Sequence, residues 1–316
     1  MDLDEIPGSL PGWDVECIHL GPGPMNHRSI RIAFGAGSLT TFSMSRAGIL
    51  RGSTAPDSHV LIASFPSGPS VLVRARPIGP GTCLVLDPKA KIDLYLPEQC
   101  TAIVLAIRAD STRALPSAPS EDGQLRVLSA AHAAVLLDCI ESLAKLPAQA
   151  APAKGERSAQ RRIRELLQTT APDLFQEATP RATARAERSQ RHRAVTRACD
   201  YIDAHLREPL ALADLCAAAG VCTRTLEYGF RDFYELGPMA YVRNLRLCRV
   251  RRDLLHPTRA ANSVSGAARR WSFTHMGQFS CDYRALFGEV PSTTLTRHRH
   301  DLARTDPGAV SGESHR

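Results

Sequence analysis

Leu226-Glu-Tyr-Gly-Phe230, with Pro238 beyond it, returns as Phe279-Ser-Cys-Asp-Tyr283, with Pro291 beyond it, at a constant offset of 53 residues. Upstream of each copy lies a short segment with apolar residues at helical spacing that ends in a turn. These are Leu212, Leu215, Cys216 and Gly220 in the first copy, and Val264, Ala267, Ala268 and Ser272 in the second. Internal repetition fixes architecture before residue detail matters. Each copy reads as a small tri-helical unit whose last helix starts just after a tight turn. That is the pattern of a helix-turn-helix, and two such helices on one face suit successive major grooves of a duplex.

Working outward, a helix with Val195, Cys199, Ile202 and Leu206 on one stripe opens the region and ends near Glu208-Pro209. Leu212–Ala219 is the second helix. Gly220 turns the chain, since positive φ costs it nothing, and Thr223 suits the N-cap of the third helix. There Leu226, Phe230 and Phe233 face inward. A longer helix over Met239–Leu255 has Met239, Val242, Leu245 and Leu254 among its apolar positions and carries Arg243, Arg246, Arg249, Arg251 and Arg252. It joins the two units and stops at Pro257. The second unit follows, with helices at about 264–270 and 275–287 around a turn at Trp271–Phe273.

The N-terminal part reads differently. From about Gly12 to Ile107, β-rich runs alternate with Gly/Pro breaks: Ser29–Phe34, Leu39–Met44, His59–Phe65, Val71–Arg76, Thr82–Leu86, Ile92–Leu96 and Ala102–Ile107. Short strands at regular spacing predict an antiparallel barrel or sandwich, able to hold one small ligand. From Gln124 to Leu146 the period changes. Leu125, Leu128, His132, Val135, Cys139, Leu143 and Leu146 form one helical stripe, packed on the strands or on its mate in a dimer. A second helix is expected over Ala159–Gln168, a break over Pro172–Pro180, and an exposed basic linker over Arg181–Arg193. The fold class is therefore α+β: an N-terminal antiparallel β-barrel domain with helices, then an all-α tandem helix-turn-helix domain. The boundaries are 1–122 for the β-rich part, 123–170 for its helices, 171–192 for the linker, 193–300 for the tandem domain and 301–316 for a disordered tail.

The net charge is +7 over 316 residues, and its position is informative. Between Arg191 and Arg299 stand 17 arginines against ten acids, while the remainder balances at 22 of each sign. A basic face confined to one region is the electrostatic footprint of nucleic-acid binding. Nine cysteines are scattered with no C-x2-C pair, which reads as reduced thiols in a cytosolic protein rather than a disulfide framework or zinc site. The acidic start (Asp2, Asp4, Glu5) lacks the pattern of a secretory signal, and no apolar run is long enough to span a membrane. His19, His27 and His59 lie in the β-rich part without close His-x-His spacing or a partnering carboxylate, so each reads as a lone loop histidine. No Gly-x-Ser-x-Gly elbow occurs, and Gly21-Pro-Gly23 and Gly35-Ala-Gly37 do not lead into helices. No catalytic residue, metal or cofactor is expected.

The stretch Leu212-Ala-Asp-Leu-Cys-Ala-Ala-Ala-Gly220-Val with Thr225-Leu226, then Pro238-Met-Ala-Tyr241 with Leu245-Arg246-Leu247, resembles the AraC/XylS family of bacterial transcription regulators. So do Trp271-Ser-Phe273-Thr-His-Met-Gly-Gln-Phe279 and Asp282-Tyr283-Arg284-Ala-Leu-Phe287-Gly288-Glu-Val-Pro291-Ser292. The resemblance covers about Arg193–Arg299. It implies two helix-turn-helix subdomains in adjacent major-groove segments and a cupin-like sensing or dimerising domain before them. The implied partners are double-stranded DNA, a small-molecule effector, RNA polymerase and a second copy of the chain. Three features depart from the family pattern. Ser272 stands where Gly is usual in the second turn, Ala267 and Arg269 replace larger apolar residues, and Glu235 replaces the Gly before Pro238. The second scaffold helix is expected to lose ~1 kcal/mol of packing.

The reading faces follow from the stripes. Base contacts are expected from Arg224, Thr225, Glu227, Tyr228, His275, Gln278, Ser280 and Cys281. Arg suits guanine, Gln suits adenine and Glu accepts from cytosine. Phosphate contacts, which position without reading sequence, are expected from Thr223, Arg231, Arg246, Arg249, Arg252 and Arg284. Glu227 is equally suited to pairing with a neighbouring Arg, and His275 to capping a turn. Two rival readings stay open: an effector-independent architectural DNA binder, and a metal-dependent cupin enzyme fused to a DNA-binding module.

Overall fold

The computed structural model describes residues 10–64, 71–73, 76–78, 82–111, 124–129, 131–135, 138, 154–177, 179–180, 190–256 and 263–297. The chain divides at Ser189 into two compact units. The first is built on strands β1 (Asp14–His19), β2 (His27–Phe34), β3 (Gly37–Met44), β4 (Gly48–Ser53), β5 (Ser58–Ser64), β6 (Val71–Val73), β7 (Arg76–Ile78), β8 (Thr82–Leu86), β9 (Lys91–Leu96), β10 (Thr101–Arg108), β11 (Gln124–Val127) and β12 (Thr179–Pro180). They form two antiparallel sheets rather than one closed barrel. Their orders are β1-β4-β9-β6-β7 and β12-β11-β8-β5-β10-β3-β2.

The two-residue period of the strands sorts their side chains. In β10, Ile103, Leu105 and Ile107 face a core shared with Leu39, Leu61, Cys83 and Val85. Helix α1 (Lys154–Glu177) covers this face with Ile163, Leu167 and Ala171. Truncating a buried leucine such as Leu61 or Leu105 to Ala costs about 2–5 kcal/mol.

Several elements differ from the sequence expectation. Gln124–Val127 is a strand paired with β8, not the start of a helix; helical residues begin at 131. Leu128 is buried in the same core, so the front of the apolar stripe is spent on the sheet. Cys139, Leu143 and Leu146 lie outside the described residues, as do Pro257 and the tail. Helix α1 runs well past Gln168 and through Pro172 to Glu177. Pro172 removes a backbone donor. Burial of Ala171 nonetheless holds this turn on the sheet, while the Thr170 hydroxyl bonds back to the Leu166 carbonyl at 2.8 Å.

Strands β1 and β4 carry no strong sequence signal because glycines interrupt β4. Those glycines let the two strands approach. Gly52 has φ of 148°, and a Cβ there would stand 1.9 Å from the Asp14 carbonyl oxygen. His19, His27 and His59 are strand residues, not loop residues, and His19 and His27 are buried. His59 Nδ1 lies 3.4 Å from the Asp87 carboxylate. Among the described residues no three His, Cys, Asp or Glu side chains cluster as metal ligands.

The second unit is helical: α2 (Gln190–His205), α3 (Leu212–Ala219), α4 (Thr223–Tyr234), α5 (Pro238–Leu255), α6 (Val264–Arg270) and α7 (Met276–Phe287), with 291–297 also helical. The repeated anchors Leu226, Phe230, Phe279 and Tyr283 are all at most 1 % exposed. In the first repeat Phe230 and Tyr234 pack on Tyr241 of α5, with ring centroids 5.3 and 4.8 Å away. In the second, Phe279 meets Phe273, and Tyr283 meets Phe287 at 4.6 Å. Gly229, poor in a helix interior, lets α4 close on α2; a Cβ there would lie 2.7 Å from Val195 Cγ2. Ala267 is fully buried and Arg269 is exposed. Arg269 therefore takes no apolar volume from the core.

Candidate nucleic-acid interface

Each repeat bends the chain twice through left-handed backbone. The turn before the third helix uses Gly220 (φ 68°) in one repeat and Ser272 (φ 63°) in the other; the end of that helix uses Glu235 (φ 58°) and Gly288 (φ 75°). One corner in each repeat is glycine and the other is not, and the arrangement swaps between repeats. Ser272 is held there by its hydroxyl, which donates to the Arg207 carbonyl. The turn is reinforced by Trp271, whose indole N–H donates to Asp253 Oδ2 at 2.8 Å while the Arg207 guanidinium lies over its ring.

Helix α4 is capped by Cys222, not Thr223, because the Leu226 amide already bonds the Cys222 carbonyl. Thr223 is the first helical residue and is exposed. Arg224, Tyr228 and Arg231 are exposed at i, i+4 and i+7, one stripe opposite the buried Leu226 and Phe230. Arg224 Nη2 lies 3.5 Å from the Tyr228 hydroxyl. Two guanidinium carbons flank that ring, Arg224 at 5.5 Å and Arg191 at 5.7 Å from its centroid. Arg191 also pairs with Asp232 at 2.7 Å. Thr225 and Glu227 are only half-exposed. Glu227 pairs with Arg231 at 3.4 Å, the alternative its neighbours allowed. The Thr225 hydroxyl beside Cys222 holds that exposed thiol below its ordinary pKa.

On α7, Gln278, Cys281 and Arg284 are exposed opposite Phe279 and Tyr283, and His275 is exposed at the N-cap. Ser280 turns the other way. It is half-buried and donates to the Met276 carbonyl at 2.9 Å. Gln278 Nε2 donates to Asp282 Oδ1 at 2.8 Å. The other oxygen of that carboxylate lies 3.6 Å from Arg243 Nε on α5. In repeat register Arg231 matches Arg284, so a cation recurs at one outward position.

The arginines of α5 divide by role. Arg246 Nε and Nη2 donate to the Leu206 and Glu208 carbonyls at 3.0 and 2.5 Å, and burial lowers its pKa. It closes the end of α2. Arg251 is buried and donates to Glu289 Oε1 at 2.5 Å, beside Phe287. Arg249 is half-buried and Arg252 exposed. Sequence reasoning did not single out Arg191 for the interface. Its place above Tyr228 depends on how α2 packs against α4, which no spacing within one helix reveals.

The first unit contains a cavity of about 280 Å³ on the sheet face away from α1. Small side chains, Ser38, Thr40, Val104 and Ala106, line it together with Trp13, Arg31 and Arg108.

Residues 215–297 match the family model described as a helix-turn-helix domain. The "Probable thc operon regulatory protein" of Rhodococcus erythropolis is 37% identical over 98 residues, which is 31% of this chain and 30% of that protein. The "XylDLEGF operon transcriptional activator 2" of Pseudomonas putida is 34% identical over 103 residues, 33% of this chain and 66% of that one. Among solved structures, a probable AraC family transcriptional regulator from Rhodopseudomonas palustris is 33% identical, covers 33% of this chain and 96% of its own, and has a TM-score of 0.31. The similarity thus spans less than a third of the Rhodococcus protein's length.

Proposed function

We propose that this chain, whose residues 215–297 match a helix-turn-helix family model and whose relatives over about a third of its length include XylDLEGF operon activators, is a sequence-specific DNA-binding transcription regulator of the AraC/XylS family controlled by a small molecule. The observation that carries the reading is the pair of outward stripes, Arg224–Tyr228–Arg231 and Gln278–Cys281–Arg284, on helices whose opposite faces are buried at repeat-equivalent positions. Arg224 and Tyr228 read bases on α4, with Gln278 and Cys281 on α7. Arg231, Arg252 and Arg284 engage phosphates. The cavity over Ser38, Thr40, Val104 and Ala106 receives the effector. A second copy of the chain and RNA polymerase complete the assembly.

The test is selection of preferred duplexes from a random pool by the full chain, followed by binding at graded salt. Affinity should fall steeply with salt, as phosphate contacts release counterions. Arg224→Ala should relax preference at one base, at about 1–3 kcal/mol. A flat salt response refutes the arginine–phosphate contacts, and a pool from which no duplex is retained refutes DNA binding. Uniform weakening across sequences assigns Arg224 to phosphate. Metabolite-dependent thermal shifts test effector control.

A further inference from the structure

The Gln278–Asp282 contact has a chemical consequence for which base α7 selects. A carboxylate only accepts hydrogen bonds, so the Gln278 amide must turn its nitrogen, not its oxygen, toward Asp282. A glutamine amide has two N–H donors. Bidentate pairing with a base uses the oxygen and the N–H on the same edge, and the remaining N–H is the one available to a neighbour one turn along. We propose that Asp282 is a specificity-determining residue: it fixes the polarity of the Gln278 amide so that α7 presents one donor and one acceptor, and so selects adenine over guanine. This rests on the reading above that Gln278 faces bases.

Adenine offers an N7 acceptor and an N6 donor in the major groove, which match a donor–acceptor edge. Guanine offers N7 and O6, two acceptors, which an amide free to use both N–H groups approaches more readily. With one N–H committed to Asp282 at 2.8 Å, that second mode is closed. Asp282 is itself held. Its side chain is 17% exposed and lies 3.6 Å from Arg243 Nε, so the carboxylate is tethered from α5 as well as from α7. An acid on a DNA-facing helix repels phosphate, and aspartate is a poor residue for a helix interior. Fixing a neighbouring amide gives that acid a purpose. The device belongs to the second repeat alone, because the first-repeat equivalents of Gln278 and Asp282 are Thr225 and Gly229.

The experiment takes the duplex selected by the wild-type full chain and measures binding with A and G exchanged at every position. Asp282→Ala should lower A-over-G preference about tenfold at one position and leave the other positions unchanged. In a Gln278→Ala background, Asp282→Ala should add nothing at that position. Asp282→Asn keeps the shape but can offer either an oxygen or an NH2 to the amide. It should give a partial loss, about threefold, and it decides the matter if the Ala variant fails to fold. Preference retained in both Asp282 variants overturns the proposal. So does a loss that persists without Gln278, or equal weakening at every position, which marks a purely structural aspartate. A wild type with no A-over-G preference anywhere, in which Gln278→Ala changes nothing, overturns the reading of Gln278 first and this proposal with it.

Discussion

Replacing Glu289 by Ala tests what holds the second module on the joining helix. The Arg251 residue is 4% exposed, and its guanidinium meets the Glu289 carboxylate at 2.5 Å, the Phe287 ring at 5.1 Å and the Tyr283 hydroxyl. Glu289 also accepts from Thr294 Oγ1 at 2.8 Å and from Arg297. Deleting the carboxylate takes away the acid beside this buried cation while its contact with the Tyr283 hydroxyl remains; breaking a buried ion pair costs about 3–5 kcal/mol. Phe287 still offers its face, worth about 0.5–2 kcal/mol, so the lower end, near 3 kcal/mol, is expected. That is a large share of the ~5–15 kcal/mol that stabilises a typical domain. Two units need not unfold together, so a local probe is required. Trp13 and Trp271 are the two tryptophans of the chain, and a Trp13→Phe background leaves Trp271 fluorescence as the reporter of the second module. With a urea slope of about 1–3 kcal/mol per molar, the midpoint should fall by about 1.5 M. A fall below ~0.5 M refutes the reasoning. The control is Arg251→Leu with Glu289→Leu, which removes both charges and should lose less than Glu289→Ala alone.

Arg246→Ala should lower stability by about 1.5–3 kcal/mol, as a charged donor leaves two carbonyls unserved, while the salt slope of DNA binding stays the same. Arg231→Ala should do the reverse, reducing that slope by about one at little cost in unfolding. Burial pushes the Tyr283 phenol up to about 12. A folded-state pKa above the unfolded value near 10 means this contribution is intact below pH 10 and lost as pH rises from about 10 to about 12, measurable as a falling Trp271 midpoint. Glu235→Gly should raise stability by ~0.5–1 kcal/mol, because φ of 58° strains any residue with a Cβ; a lowered midpoint would assign Glu235 an unseen contact.

The helical half was legible because its repeat is a repeat of core positions. Leu226, Phe230, Phe279 and Tyr283 must be buried for either unit to exist, and the offset of 53 preserves their phase. The outward stripes followed from that phase, except where a side chain turned back on its own helix, as Ser280 does. Arg246 and Arg251 look alike in sequence and part company only when α2 and Glu289 are brought beside them. In the first unit, strands with β-branched runs were recovered. Strand β4 was not, since its glycines are dictated by the proximity of β1. Helix α1 outran the expected break because packing of Ala171 on the sheet outweighed the local effect of Pro172.

Arg246 and Arg251 stand five residues apart on α5, about 7.5 Å along its axis, and they bolt that one helix to opposite halves of the domain. The gap between the two DNA-reading elements is then a property of the polypeptide, like the set jaw of a caliper. Adding one base pair between the half-sites shifts the second by about 3.4 Å and roughly a tenth of a turn, and a jaw of fixed width has no way to follow. Operators for this protein should tolerate substitutions between the half-sites far better than insertions.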